Sequence, residues 1–326
     1  MGMILEELNE ITNDYFLLDG GMATDIYFES SFLMQHYMAK QRGLWERPSG
    51  GKKIRVPLEY DESEGGAYDR NDPLSTDDRE IIDAAYFSWK HYYGNATVYR
   101  TDGLMNAGEY AEVQLITSKV KNAQKTARNH VAKNIYASGG DSDRHLTGLL
   151  TMTSETATTE YGEIAENDLV SRDGTKPWEG KTNTALAGTI SLDSIRTIRS
   201  EAKIHDGADG KPDTAVTTET LWNKIASILQ TQQRFVNDKD TAKAGFQHLV
   251  FEGMILAVDD FCPATYMFML NSHHFGWAVH SKGYFARTAW ADLVSGPAGQ
   301  YMRIYWDGNM ICNHRRSHTA ASGLTA

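Results

Sequence analysis

The sequence has few cysteines and no long apolar run, and these two absences narrow the kind of protein it can encode. Its 326 residues include only two cysteines, Cys262 and Cys312, so a disulfide framework is excluded and a reducing compartment is expected. No apolar stretch approaches the roughly 20 residues that a membrane-spanning helix needs. The first residues, MGMILEELNE, are acidic and lack the apolar run of a secretory signal. We therefore expect no membrane contact.

The sequence also lacks the short motifs of the common enzyme classes. It has no Walker loop, no GxSxG elbow, no HExxH motif and no CxxC pair. One cluster of ionisable residues could be drawn as a metal site: Asp259, Asp260, Cys262, His273, His274 and His280. Its spacing matches no known ligand pattern, so turn aspartates and packed or exposed histidines explain it better. We expect no cofactor and no enzyme, and a metal-dependent hydrolase using residues 259–280 is kept as an alternative.

Three other groups of side chains have an ordinary explanation beside a functional one. Asp206, Asp209 and Asp213 suggest calcium, but the EF-hand spacing and its closing glutamate are missing, which favours a solvated turn. The basic stretch at residues 313–318 could touch phosphates, but in an acidic chain ion pairing is favoured. The aromatic residues between positions 86 and 93 could stack on bases, and an apolar strand face is the ordinary explanation.

Basic residues are outnumbered, at 32 against 43 acidic residues, which gives a formal net charge of -11. An acidic chain is not suited to gripping nucleic acid by its phosphates. The same charge lets the protein lie beside nucleic acid without adhering to it. With 41% hydrophobic and 23% charged residues, the composition is that of a folded protein with one large domain or two smaller ones.

The stretch SGGKKIRVPLEYDESEGG, residues 49–66, predicts a strand with one apolar and one polar face. Its apolar residues alternate with polar ones: Ile54, Val56, Leu58 and Tyr60. This is the period of a half-buried strand. Pro57 has no N–H to give to a ladder, so the strand is expected at a sheet edge.

A second alternating stretch, DAAYFSWKHYY at residues 83–93, predicts a strand that returns beside the first. One face is expected to carry Ala85, Phe87 and Trp89. The other face is expected to carry Tyr86, Ser88 and Lys90. The two strands, joined by about 20 polar residues, predict a long two-stranded arm with a loose tip.

The clearest helix signal lies between Ala107 and Ala137. Apolar residues recur there every three or four positions: Val113, Ile116, Val120, Ala123, Ala127, Val131 and Ile135. The Gly139-Gly140 pair follows the predicted end. The other face carries basic residues that are expected to be solvated or to form a packing surface: Lys119, Lys121, Lys125, Arg128 and Lys133.

The rest of the chain mixes helices and strands. Residues 1–46 predict an arm rather than a core, with a short acidic helix at 4–12 and an amphipathic helix that ends near Gly43. Two helices are predicted at 191–204 and 217–235, with a short strand between them. From residue 246 onward, short strands alternate with turns such as Asp307-Gly308. The fold class is therefore α+β with two long projecting elements.

The order of these segments resembles that of the major capsid proteins of tailed double-stranded DNA bacteriophages, which share the Johnson fold. GGKKIRVPLEY is similar to the outgoing strand of that family's extended loop, and IDAAYFSWKHYYGNATV to the returning strand. The helix from Ala107 matches the spine helix, and LTGLL the short motif after it. TTETLWNKIASILQTQQRFVND, LVFEGMILAVDDFCPATYMFMLNS and DGNMICNHRRSHTAASGL resemble later segments of the family. The chain departs from the family pattern between residues 141 and 185.

The resemblance implies a division of the chain and a function. The implied parts are an N-terminal arm at 1–46, an extended loop at 47–93, a peripheral domain at 94–140 and 283–315 with the spine helix, an axial domain at 141–282, and a C-terminal tail at 316–326. The implied function is that of a structural subunit that assembles as hexamers and pentamers into an icosahedral shell around double-stranded DNA. An encapsulin-like cargo shell is the alternative of similar fold.

The resemblance also implies partners and a location. The expected partners are other copies of the chain, a portal protein, decoration proteins in some particles and a separate scaffolding protein, because no large scaffolding segment precedes the arm. The expected location is the virion, after assembly in the bacterial host cytoplasm. The hypothetical interface with a neighbouring subunit consists of the charges of the extended loop: Lys52, Lys53, Arg55, Glu59, Asp61, Glu62, Glu64 and Arg70.

Overall fold

The computed structural model describes residues 31–70, 72, 74, 80–101, 109–140, 143–156, 158–204, 210–230, 248–293 and 298–326. The predicted helix at residues 4–12 lies outside the described residues, as do Asp206 and Asp209 of the calcium hypothesis. Within the described part, helices and strands are mixed along the chain, which confirms the α+β prediction.

The described residues form four α-helices and sixteen strands. The helices are α1 (Glu109–Ile135), α2 (Leu149–Met152), α3 (Leu192–Glu201) and α4 (Glu219–Gln230). The strands are β1 (Leu44–Glu46), β2 (Ile54–Glu59), β3 (Ile82–Phe87), β4 (Lys90–Tyr99), β5 (Thr182–Asn183), β6 (Gly188–Thr189), β7 (Thr214–Thr217), β8 (His248–Phe251), β9 (Met254–Val258), β10 (Met267–Leu270), β11 (Phe275–Val279), β12 (Ala286–Arg287), β13 (Ala291–Asp292), β14 (Gly299–Cys312), β15 (Thr319–Ala321) and β16 (Leu324–Thr325).

The first sheet is organised around β14, and we call it the β14 sheet. Its path is β1-β11-β14-β12, with β4 and β13 also paired to β14. β4 pairs with β14 from Tyr99↔Gly299 to Lys90↔Gly308, and β11 continues from Gly308 onward on the other edge. The predicted turn at Asp307-Gly308 is therefore wrong, because the strand runs straight through it. A Cβ at Gly308 would lie 2.6 Å from the Ala278 carbonyl oxygen, so the glycine permits close strand packing rather than a turn.

The long helix α1 packs on the β14 sheet, as the apolar periodicity predicts. Ile116, Val120 and Ala123 form a buried cluster with Met302 and Ile304 of β14. The approach is closest at Gly94 of β4, where a Cβ would lie 2.1 Å from the Ala123 carbonyl oxygen. On the basic face, the guanidinium of Arg128 lies 4.7 Å from the centre of the Phe285 ring, so this residue belongs to the packing surface.

The second sheet has the order β5-β15-β10-β7-β9-β8, and we call it the β10 sheet. Helices α3 and α4 bury Ile195, Ile198 and Ile225 against its Leu256 and Met269. These helices and the strand between them confirm the sequence prediction, apart from residues 231–235, which lie outside the described part. Ser191 caps α3 by accepting the Ser194 N–H, and the Ser194 side chain returns the bond.

The two ends of the described chain contribute to the core, which differs from the expectation for those residues. Residues 1–46 were expected to form an arm; in residues 31–46, the part that is described, Phe32, Met34 and Tyr37 are at most 1% exposed, and β1 pairs in parallel with β11. Gly43, which lies between the buried residues 32–38 and β1, has a φ of 75°, which a residue with a Cβ rarely adopts. Residues 316–326 were expected to form a tail, yet β15 pairs with β10 and is fully buried.

The predicted two-stranded arm is confirmed at its base, with one correction. β2 and β3 pair antiparallel from Ile54↔Phe87 to Glu59↔Ile82 and pair with no other described strand. The returning segment was expected to be one strand with Lys90 on its polar face. Instead β3 ends at Phe87 and β4 begins at Lys90, so the pleat changes phase and the Lys90 side chain is buried, with its Nζ donating to the Gly140 carbonyl.

Candidate functional site

The candidate site is the extended hairpin, by which we mean β2, β3 and the segment between them. One face of β2 is buried, since Ile54, Val56 and Leu58 are 3%, 4% and 7% exposed, while Arg55 and Glu59 face solvent. The ladder continues one step past β2, because the Tyr60 N–H donates to the Ile81 carbonyl at 3.0 Å. The alternation that predicted the strand thus separates a core face from an outer face.

The apolar face of the hairpin packs on residues 158–179, which follow α2 and which we call the bracket loop. The Phe87 and Tyr161 rings meet edge to face, with their centroids 5.1 Å apart. The Tyr86 N–H donates to the Gly162 carbonyl at 2.9 Å. Gly162 has a φ of 65°, and a Cβ there would lie 2.8 Å from the Cβ of Ala85. A glycine is therefore required where the two segments touch.

Charged side chains extend the same contact toward the tip of the hairpin. Lys53 forms an ion pair with Glu163 of the bracket loop. The Asp61 carboxylate accepts from the Ser171 hydroxyl at 2.8 Å and from the Arg172 N–H at 3.1 Å. The Arg172 guanidinium also donates to Glu64 at 2.7 Å. Three of the predicted interface charges therefore have partners within their own chain.

The other five predicted interface residues have a different setting. They are exposed and form no ion pair with another residue of the described part: Lys52, Arg55, Glu59, Glu62 and Arg70. The structure brings the acidic residues 59–64 together at one end of β2 and places Lys52 and Lys53 at the other. Their contact with a neighbouring subunit stays a prediction.

Large apolar side chains are exposed along the extended hairpin. Tyr68, Leu74 and Ile82 are 69%, 64% and 61% exposed, and Tyr86 is 38% exposed. In a soluble monomer such residues are ordinary when they are scattered singly. Here four of them lie on one element, whose two strands pair with no other strand among the described residues.

The basic stretch at residues 313–318 has a structural role that sequence reasoning missed. Arg315 is fully buried and donates to four carbonyl oxygens, those of Met152 at 2.6 Å, Ser154 at 2.7 Å, Thr151 at 3.0 Å and Trp178 at 3.2 Å. The favoured ion-pairing role is wrong for this residue, since its partners are backbone carbonyls. Burial lowers the pKa of the Arg315 guanidinium, and the four acceptors offset the cost of removing the charge from water.

The residues of the metal hypothesis are dispersed. The Asp259 carboxylate accepts from the Ser31 hydroxyl and from the N–H of Leu33, which directly precedes a short π-helix at Met34–Ala39, and burial raises its pKa. His274 contacts Asn313, and the rings of His280 and Trp89 meet edge to face with their centroids 5.6 Å apart. Within the described residues, no group of three or more His, Cys, Asp or Glu side chains is placed to hold a metal ion.

The aromatic residues between positions 86 and 93 have different surroundings. Phe87 and Tyr92 are buried against Tyr161 and Trp306, whereas Tyr93 is 63% exposed. None of the helices in the described part of the chain is long and apolar enough to cross a bilayer.

The bracket loop is the part of the site that the sequence did not reveal. It carries no periodic apolar pattern, and it falls in the region where the chain departs from the capsid family pattern. The aromatic-glycine pair Tyr161-Gly162 and the isolated Trp178 are the only local signals. Trp178 is buried, and its indole N–H donates to the Tyr161 carbonyl at 3.0 Å.

Comparison with known proteins identifies the fold. No family model and no curated protein sequence matches the chain. Among solved structures, a subunit of the cyanophage A-1(L) capsid matches with a TM-score of 0.67 and 12% identity, covering 89% of this chain and 93% of that one. The capsid of an empty GTA particle matches with a TM-score of 0.53 and 12% identity over 91% and 97% of the two chains.

A structure of another kind of shell also matches. The SrpI encapsulin of Synechococcus elongatus PCC 7942 has a TM-score of 0.53 and 7% identity, covering 89% of this chain and 87% of that one. The chain therefore has the fold of phage capsid proteins, the Johnson fold, as the resemblance implied. At these identities the likeness concerns the fold.

Proposed function

We propose that this chain is the major capsid subunit of a tailed bacteriophage, which assembles as hexamers and pentamers into the icosahedral shell around double-stranded DNA. The observation that carries the proposal is the extended hairpin. Its paired base packs on the core of a capsid fold, and it exposes large apolar residues at the last rung of the ladder, Ile82, and beyond it, Tyr68 and Leu74. A shell subunit needs such a surface, because a specific interface buries about 1,000 Å² or more.

The charge of the chain is consistent with this function. A net charge of -11 disfavours condensation of DNA on the protein, since binding to phosphates depends on clustered cations. Arg315, the central residue of the one basic cluster near the end of the sequence, is buried against carbonyl oxygens and is not available to phosphates. A container that must later release its DNA benefits from an inner wall to which DNA does not adhere.

An encapsulin-like cargo shell is the second candidate, supported by the encapsulin whose TM-score equals that of the GTA capsid. Both candidates are shells, and their contents distinguish them. A phage head subunit forms particles that a portal protein and packaged DNA complete, whereas an encapsulin encloses a protein cargo. Co-expression with the neighbouring genes of its source, followed by analysis of particle contents, separates the two.

The location and further partners belong to the same proposal. We infer that the subunit is a component of the virion, assembled in the cytoplasm of the bacterial host with a separate scaffolding protein and a portal, and in some particles with decoration proteins. The eight charges at the base and acidic end of the extended hairpin are proposed to lie near the neighbouring subunit.

Electron microscopy of the purified protein tests the function directly. We expect hollow icosahedral particles, or free hexamers and pentamers that convert to particles when the scaffolding protein is added. A stable monomer or dimer that binds a stoichiometric metal ion, under conditions that include the scaffolding protein, would contradict the proposal and favour the hydrolase alternative.

A further inference from the structure

The bracket loop contacts the extended hairpin along most of its described length. At the base, Lys53 pairs with Glu163. Further along, the Tyr86 N–H donates to the Gly162 carbonyl. Beyond the end of β2, the Asp61 carboxylate accepts from the Arg172 backbone N–H, and the Glu64 carboxylate accepts from the Arg172 guanidinium. The contacts therefore follow the hairpin outward from residue 53 to residue 64 and are not confined to one point.

The bracket loop is itself fixed to the core, so it can hold another segment. Trp178 is 2% exposed and donates its indole N–H to the Tyr161 carbonyl. The Trp178 carbonyl accepts from the buried guanidinium of Arg315 at 3.2 Å. Within the loop, the Ser171 N–H donates to the Thr175 carbonyl at 2.8 Å, and the Asp168 carboxylate accepts from the Ala165 N–H at 2.9 Å. Arg172 is thus presented from a closed turn.

The hairpin needs this support because it has little of its own. A two-stranded hairpin is at best marginally stable in water, and β2 and β3 pair with no other strand among the described residues. The backbone groups on the facing edges of β2 and β3 bond to each other in the ladder. On the outer edge of β3, the Tyr86 N–H donates to the Gly162 carbonyl. Without the bracket loop, the hairpin would rest on the apolar contacts of β2 and β3 alone.

We propose that the bracket loop holds the extended hairpin in one fixed direction in the free subunit, so that a neighbouring copy meets a preordered arm. The assembly part of this inference rests on the proposed shell function. Ordering the backbone on binding costs conformational entropy, and an arm that is ordered before contact avoids that cost at the interface. Arg172 is the positioning residue, because its guanidinium pairs with Glu64 beside the bond from its backbone N–H to Asp61.

The test measures the hairpin and the assembly separately. The variants are Arg172→Glu, which places a carboxylate beside Asp61 and Glu64, and the charge swap of Arg172→Glu with Glu64→Arg. Lys211→Glu is the matched control, since Lys211 is exposed and lies outside the hairpin and the bracket loop. Hydrogen exchange is measured on the dissociated subunit for the amides of residues 54–60, except Pro57, and of residues 82–87.

We expect Arg172→Glu to accelerate exchange of these amides about fivefold, the size that loss of one partly exposed ion pair and its replacement by like charges allow. The charge swap should restore exchange to within about twofold of the parent protein, and Lys211→Glu should leave it unchanged. The protein concentration at which shells form should rise about fivefold for Arg172→Glu and return toward the parent value in the swap. If Arg172→Glu does not fold, Arg172→Ala replaces it.

The outcomes separate this inference from the proposed function. Unchanged hydrogen exchange in Arg172→Glu would contradict the proposal that the bracket loop holds the extended hairpin in place. Faster exchange with an unchanged threshold for shell formation would overturn its part in assembly while the shell function stands. If the parent protein forms no shells, the proposed function fails, and the exchange data still decide whether the bracket loop orders the hairpin.

Discussion

The β14 sheet and the extended hairpin are both built from alternating strands, but they differ in what surrounds them. β14 has partners on both edges, with β4 on one side and β11, β12 and β13 on the other. The hairpin has its own two strands and the polar contacts of the bracket loop. The comparison teaches that the same alternating pattern of residues can build a core sheet or a projecting arm. In the β14 sheet, where β14 has partner strands on both edges, substitutions should lower the stability of the subunit. In the extended hairpin, whose outer edges have no partner strand among the described residues, substitutions should affect assembly.

The largest effect on stability is expected at Arg315, where the closed part of the molecule depends on one side chain. Arg315→Met removes the donor from four buried carbonyl oxygens. Because buried acceptors left without a donor are costly, the free energy of unfolding should fall by about 3–5 kcal/mol. Urea denaturation of the dissociated subunit measures this. Arg316→Met, at the less buried neighbouring position, should cost under about 1 kcal/mol, and an equal loss in both variants would contradict the role assigned to Arg315.

A smaller effect is expected where α1 approaches the β14 sheet. Gly94→Ala places a methyl group 2.1 Å from the Ala123 carbonyl oxygen, so the helix has to move outward. Overpacking of this kind costs about 1–3 kcal/mol. Thermal unfolding compares this variant with Gly66→Ala in the extended hairpin, where a Cβ meets nothing within 4 Å. Equal melting temperatures for the two variants would argue against the close approach.

The next effect is a pH-dependent loss of stability at His318, which directly precedes β15 and bonds to Asn271 at the end of β10. It is fully buried, its Nδ1 accepts from the Asn271 N–H, and burial beside His274 and His314 lowers its pKa from 6.5 to about 3. The unfolded chain takes up the proton at a higher pH than the folded chain does. The contribution of neutral, buried His318 to the free energy of unfolding is therefore complete above pH 6.5 and is lost as the pH falls toward 3. Between pH 7 and pH 5 the loss should be about 2 kcal/mol.

His318→Asn checks this prediction, since its side-chain oxygen can still accept from Asn271. Denaturant unfolding of both proteins from pH 7 to pH 5 should show a shallower decline for the variant. Parallel declines would show that other groups determine the acid sensitivity.

The smallest effect on stability, together with the largest effect on assembly, is expected at the tip of the extended hairpin. Replacing residues 61–80 by Asn-Gly joins Tyr60 to Ile81, which already pair, through a turn suited to a two-residue hairpin. The free energy of unfolding should change by less than about 1 kcal/mol, since loop length has a weak effect on stability. Shells should no longer form in electron micrographs. Normal shells from this variant would show that the tip is not an assembly element.

Local periodicity predicted those elements whose structure depends on neighbours in the sequence. The three- and four-residue spacing from Ile116 to Ile135 predicted α1, and the alternation at Ile54, Val56 and Leu58 predicted β2. In both cases the buried face is the one that the pattern indicated.

The sequence failed where a residue's role is set by a segment far away in the chain. In the sequence Gly308 indicates a turn and Arg315 an ion pair, but in the structure β11 lies beside Gly308, and the carbonyls of residues 151, 152 and 154 accept from Arg315. Lys90 was placed on the wrong face because the pleat changes phase at residues 88 and 89. The bracket loop was missed for the same reason, since the partners of Tyr161 and Arg172 are hairpin residues about 70 to 110 positions earlier in the chain.

The central place of β14 also sets the timing of folding on the ribosome. Tyr99 of β4 pairs with Gly299, which is 200 residues later in the chain. At about 5–20 residues per second, β4 waits roughly 10–40 s for its partner strand. During that interval the tyrosine-rich strand has an unpaired edge, which is a template for aggregation. In the folded subunit α1, which follows β4 in the chain, packs closely on one face of that strand, so this face can be covered before β14 is synthesised, whereas the edge cannot.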